Sequence, residues 1–149
     1  MGETHARATI QGEIIALHAF FVTWFSGTCE ASDRVFKREF RDRFEANFLL
    51  IPPAGCVLSI HELAESIRSR HGSNPDFRIA IRNVVVRRSW PGHILATYEE
   101  WQRNAAASTP QDNARVATVL FETRQRLSWL HVHETWLPAS IMTAGPYDF

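Results

Sequence analysis

The sequence predicts an α+β fold in which helices come first and a long, bent, mostly antiparallel sheet follows. Three observations carry this reading. Apolar residues recur every three or four positions in the first half of the chain, the period switches to two from Phe77 onward, and the turns beyond that point are too short for crossover helices.

The first helix is written by Ile10, Ile14, Leu17, Phe21 and Phe25, which share one helical face, and Gly27 supplies its stop. A second helix starts after Ser32, a natural N-cap, and carries Phe36, Phe40 and Phe44 at four-residue steps with Lys37, Arg38, Arg41, Asp42 and Arg43 between them. Asn47–Ile51 is short and apolar and stops at Pro52-Pro53-Ala54-Gly55, which reads as a strand and a turn. Ser59-Ile60-His61-Glu62 is a capping box, so a third helix begins at Ile60, buries Leu63, Ala64 and Ile67, and ends at Gly72.

Four strands follow. Phe77 to Val86 alternates in period two, and Trp90-Pro91-Gly92 turns the chain into His93 to Arg103. A polar, alanine-rich loop over Ala105 to Asn113 leads to strands Ala114 to Thr123 and Leu127 to Leu137, where Pro138 stops the last. Strands near ten residues exceed the usual length, so the sheet has to bend or coil.

At 149 residues the chain makes one domain, with a core over about residues 8–138 and a flexible tail over 139–149. Sixteen basic residues balance 16 acidic ones, and Lys37 is the only lysine. This neutral balance argues against nucleic acid or an anionic membrane as partner, both of which call for a basic field. The N-terminus lacks the pattern of a secretory signal and the apolar runs look short for a membrane span, so a cytoplasmic location is expected. Cys29 and Cys56 lack metal or disulfide spacing and read as free thiols. No glycine-rich nucleotide loop, nucleophile elbow or zinc-protease motif occurs, so no cofactor and no metal is expected.

The order helix, helix, short strand, helix, four long strands resembles the nuclear transport factor 2-like superfamily, also called SnoaL-like or cystatin-like. The opening run Ile14–Phe25, the strand Phe48–Ile51 with its Pro52-Pro53-Ala54-Gly55 turn, and the terminal Trp129-Leu130-His131-Val132-His133-Glu134-Thr135-Trp136 carry the resemblance. It is closest to an uncharacterised branch of that superfamily. The resemblance implies a cone, with a curved sheet wrapped around the first helix, a cavity at the open end and a homodimer through the outer sheet face. The superfamily holds isomerases, dehydratases and cyclases as well as association domains, so fold does not decide function. In its enzymes one Asp, Glu or His sits in an apolar cavity that shifts its pKa.

Two constellations are candidates for such chemistry. In His131-Val132-His133-Glu134 the histidines share one strand face and Glu134 takes the other. A zinc site would need a third ligand with recognisable spacing, and none is present, which leaves a pocket or interface pair, or buried structural histidines. In Thr97-Tyr98-Glu99-Glu100-Trp101 the adjacent carboxylates face opposite ways, so at most one enters a cavity. The bland alternative is a cross-strand ion pair with Arg115 or Arg82. Catalytic candidates are thus Glu99, Glu100, His131, His133 and Glu134. Pocket candidates are Trp24, Tyr98, Trp101, His131 and Trp136, drawn from an aromatic inventory that is mostly core. Two inner faces remain open for the last strand: Leu130, Val132, Glu134 and Trp136, or Trp129, His131, His133 and Thr135.

The leading expectation is a dimeric small-molecule-binding domain with an aromatic-lined cavity. The alternatives are an acid–base isomerase, dehydratase or cyclase acting on an apolar or polycyclic molecule, and a protein-association module.

Overall fold

The computed structural model describes residues 2–149, with side chains described from residue 7 onward. Its elements run α1 (Gly2–Ser26), α2 (Asp33–Glu39), a 3-10 turn (Arg41–Arg43), β1 (Phe44–Ile51), β2 (Leu58–Ser59), α3 (Ile60–Arg68), β3 (Arg78–Trp90), β4 (His93–Arg103), β5 (Asn113–Glu122), β6 (Ser128–Trp136) and α4 (Ala139–Ala144). The six strands form one sheet in the order β2-β1-β6-β5-β4-β3. β3 to β6 make the antiparallel meander expected, and β1 joins it by parallel pairing with β6, for example Leu50 beside Val132.

Local chemistry sets the helix starts as anticipated. The Ser32 hydroxyl accepts from the Val35 N–H, and Ser59 and Glu62 complete the reciprocal capping box at α3. The second helix is shorter than its aromatic spacing suggests: it ends at Glu39, and Phe44 opens β1. The four-residue spacing nonetheless keeps one file of rings. Phe36–Phe40, Phe40–Phe44 and Phe44–Phe48 centroids lie 5.0, 4.8 and 4.7 Å apart. This file continues through Trp129 to Phe121, joining the helical layer to the sheet.

α1 lies in the concave face of the sheet and buries Ile10, Ile14, Leu17, Phe20 and Trp24. By length and composition Arg7–Ser26 is apolar enough to cross a membrane, contrary to the reading of the runs as too short; in this fold about a third of the span is buried, with Ile10, Ile14, Leu17, Phe20 and Trp24 in the core. The α1 terminus is tied to the loop before β3, with the Gly72 N–H on the Trp24 carbonyl and the Asn74 N–H on the Phe25 carbonyl. Gly27 adopts φ +78°, and a Cβ there would come within 3.0 Å of the Gly72 Cα. The turn thus needs glycine for both backbone angle and space.

Two irregularities bend β3. Register slips between Arg82 and Val85 and again between Val86 and Arg88, and Asn83 takes φ +54° at the first slip. A third sits on β6: Leu120 pairs with His131 but Phe121 pairs with Trp129, leaving Leu130 as the extra residue. Residues 139–149 form α4 and a segment laid on the outer sheet face. There Arg82 donates to the Pro146 carbonyl at 2.8 Å, and the Tyr147 ring meets Trp101 edge-on at 5.5 Å.

Candidate functional site

The Leu130 bulge decides what faces the cone interior. It lets Trp129, Val132 and Glu134 all point inward, so neither simple alternation for β6 is right. On β4 the inward set is Tyr98, Glu100 and Gln102, and on β5 it includes Arg115. Together with Leu17, His18, Phe21 and Phe25 of α1 they line an open cavity of about 170 Å³ whose remaining walls are mostly Phe, Leu and Ile.

A connected polar group sits in this apolar shell. The His18 Nδ1–H donates to the Ile14 carbonyl at 2.7 Å, and His18 Nε2 lies 3.0 Å from Glu100 Oε1. A carbonyl only accepts, so Nδ1 must carry a proton, and a second proton must lie between Nε2 and the carboxylate. Gln102 donates to the other Glu100 oxygen at 2.5 Å. The Arg115 guanidinium approaches Glu134 and the Asn113 side-chain oxygen at 3.5 and 3.3 Å, both long contacts. Its Nε is buried without a partner.

Burial and mutual charge push these groups apart. Desolvation alone would lower the His18 pKa, but the Glu100 charge and hydrogen bond overcome it and the net shift is upward. Burial likewise opposes ionisation of Glu100, yet His18 and Arg115 hold it down at about 2. Glu134 goes the other way, to about 7, through burial first and the nearby Glu100 charge second, with Arg115 and His18 only partly offsetting them. Tyr98 is raised well above its ordinary value by burial and by the two carboxylates. The cavity thus holds a histidine whose protonated form is favoured by the Glu100 carboxylate, beside a Glu134 carboxyl group whose pKa is raised to about 7.

The expected site residues fall in different places. Tyr98, Glu100 and Glu134 line the cavity. Glu99 faces the other side of the sheet, accepting from Asn83 and from the Trp101 N–H at 2.8 and 2.9 Å. His131 and His133 follow the outward alternation beyond the bulge. Trp24 is consumed by the core and donates to the Ile67 carbonyl at 2.9 Å. Trp101 lies under Arg82 on the outer face, and Trp136 sits at the strand end, 42% exposed, with Arg115 stacked on its ring. None of Trp24, Trp101, His131 and Trp136 lines this cavity.

Sequence reasoning passes over His18 and treats Arg115 only as an ion-pair partner. The signal for His18 is there: it follows Leu17 on the otherwise apolar buried face of the helix. Among the described residues no cluster of three or more His, Cys, Asp or Glu could hold a metal ion, and Cys29 and Cys56 are free.

A helix-filled cone of this topology with an interior polar group defines a nuclear transport factor 2-like domain. Solved structures share it. A nuclear transport factor 2-like protein of unknown function from Pseudomonas aeruginosa superposes with TM-score 0.72 at 27% identity, covering 89% of this chain and 98% of that one. A CaMKII hub homology domain from Chlamydomonas reinhardtii superposes with TM-score 0.62 at 11% identity, over 93% and 100% of the two chains. Within this class, the chain belongs to the family described as sucrose-6-phosphate phosphohydrolase C-terminal, whose model matches residues 10–138. That family carries a different label from the uncharacterised branch expected from the sequence, within the expected superfamily. Sucrose-phosphatase 2 of Nicotiana tabacum is 24% identical over 132 residues, which cover 84% of this chain but only 30% of the relative.

Proposed function

We propose that this domain binds a compact, largely apolar small molecule in the cone cavity. The observation that carries this reading is the arrangement of the walls: apolar side chains on most sides, with His18, Tyr98, Glu100, Gln102, Arg115 and Glu134 converging at one end. A dry apolar cavity of about 150 Å³ suffices for a benzene-sized molecule, and this one is of that order at about 170 Å³. Native mass spectrometry of the protein purified from its own source tests the reading. A co-purifying molecule is expected, displaced when the cavity is filled by Leu50→Trp; an empty protein that also fails to bind apolar probes would overturn it.

One observation favours a second reading, acid–base catalysis of an isomerisation, dehydration or cyclisation. Glu134 lines the cavity with its pKa raised to about 7, the range in which one carboxyl can both take and give a proton. In that reading Glu134 carries the proton and the His18–Glu100 pair fixes the field around it. Glu99, His131 and His133 face away and take no part.

The sucrose-phosphatase named above is more than three times as long as the matching segment, so its activity comes to this chain only as context. We further propose a cytoplasmic homodimer through the outer sheet face. The hub-domain neighbour supports self-association by its name alone, and sedimentation at micromolar concentration tests it.

A further inference from the structure

The cone cavity has an outer compartment. A second space of about 420 Å³ lies under the β4–β5 loop and shares Phe25, Phe77, Gln102 and Arg115 with the inner cavity. These four side chains line both spaces, so the two adjoin there. The outer walls add Arg70, Ser73, Asn74 and Ser108 to the shared residues, and no carboxylate lines the space among the described residues. In a chain whose acidic and basic residues are equal in number, a vestibule with two arginines, several neutral hydrogen-bonding side chains and no acid is a local departure. Such a lining favours an anion.

Arg115 is the link. It faces Glu134 on the inner side and the vestibule on the outer side; its guanidinium stacks on Trp136, but its donors are poorly satisfied, since both Nη contacts are long and the Nε is buried unpaired. Buried donors left short of partners call for an acceptor, and a guanidinium fork is shaped for a carboxylate or phosphate. Arg70 is exposed, and no acidic side chain among the described residues pairs with it.

We propose that the ligand is a compact amphiphilic anion: an apolar body held among the inner rings, and a carboxylate or phosphate group placed in the vestibule against Arg115 and Arg70. This rests on the small-molecule reading above and adds the charge, the orientation and the direction of entry. The inner cavity fixes the size of the body, and the vestibule selects the sign of the head group.

The test uses the full chain and probes that separate body from charge: benzoate and phenyl phosphate, benzyl alcohol with the same ring and no charge, and acetate and inorganic phosphate with charge and no ring. Binding is followed by titration calorimetry. Benzoate or phenyl phosphate is expected to bind at least about tenfold tighter than benzyl alcohol and than the small anions, since a charge-assisted arginine contact is worth that much. Which of the two wins identifies the head group. Arg70→Ala, an exposed change that leaves the core alone, should weaken the aromatic anion several-fold and leave benzyl alcohol unchanged; Arg115→Gln should do so more strongly. Benzyl alcohol binding as tightly as both aromatic anions, or indifference of their binding to Arg70→Ala, overturns the anion assignment while the cavity reading stands. Failure of every aromatic probe to bind overturns both.

Discussion

His18 of α1 and Glu100 of β4, separated by 82 positions in the chain, meet at 3.0 Å inside an apolar shell, with His18 pinned from behind by the Ile14 carbonyl. The pair ties the central helix to the sheet at the floor of the cavity. It is buried on both sides, so its worth depends on both partners being present: Coulomb attraction offsets desolvation only while the geometry holds.

Glu100→Gln tests that relationship. With the carboxylate gone, burial acts on His18 against only the Ile14 carbonyl and the Glu134 charge, and its pKa should fall from its raised value. The Glu100 contribution to stability is present above its ordinary value of 4.5 and is lost as pH falls toward its folded value of about 2. The variant should therefore lose about 2–4 kcal/mol at pH 6, less than a stranded charge would cost because His18 can go neutral. Histidine ring titration by NMR and urea unfolding read the two effects separately.

Glu134→Gln should act in the opposite direction. The Glu134 pKa rises from 4.5 to about 7 in the fold, so its contribution is fully present below 4.5 and is lost as pH climbs to 7. A glutamine keeps the shape and does not titrate. The variant should match the parent near pH 4.5 and gain on it by about 3–4 kcal/mol by pH 8, since a tenfold change in proton affinity corresponds to about 1.4 kcal/mol. Thermal melts across that range check the sign. A catalytic Glu134 would show as lost turnover in the same variant that gains stability.

Phe40 is fully buried between Phe36 and Phe44 where α2 ends and β1 approaches. Phe40→Ala should cost about 3–5 kcal/mol, because a ring-sized void at a junction of helix and sheet has little freedom to collapse. Denaturant midpoints with an unchanged slope would confirm a loss of packing without a change of fold.

The sequence displays what is local and hides what depends on register. Serine caps, the capping box, the Trp90-Pro91-Gly92 turn and the span of β4 all follow from chemistry within a few residues, and all are present. Phe44 misleads because a four-residue step fits a helix, yet aromatic contact continues across the change from helix to strand. The inner face of β6 is beyond alternation rules: one extra residue, Leu130, puts Trp129 on the same side as Val132 and Glu134, and nothing in the local sequence marks it. His18 goes unread because its meaning comes from Glu100, a partner that only the folded chain supplies. For the adjacent carboxylates the pleat is a sound guide, since only one of Glu99 and Glu100 lies inside.

The outer sheet face offers the last prediction. Trp101 is buried there although it points away from the cone, because Arg82 stacks on it at 4.4 Å and Tyr147 abuts its edge. Arg82 also holds the Pro146 carbonyl and approaches Asp148, so one side chain secures both the ring and the segment that covers it. Removing residues 146–149 should uncover Trp101 and an arginine-flanked apolar patch, and such patches seek partners. If the proposed dimer uses this face, the shortened chain should self-associate at lower concentration than the full chain, and Trp101→Ala in the shortened chain should reverse the gain. Sedimentation velocity across a concentration series reads this directly. Equal sedimentation of the two chains, with Trp101 more open to acrylamide quenching only in the shortened one, would show that the segment covers the face but that dimers form elsewhere.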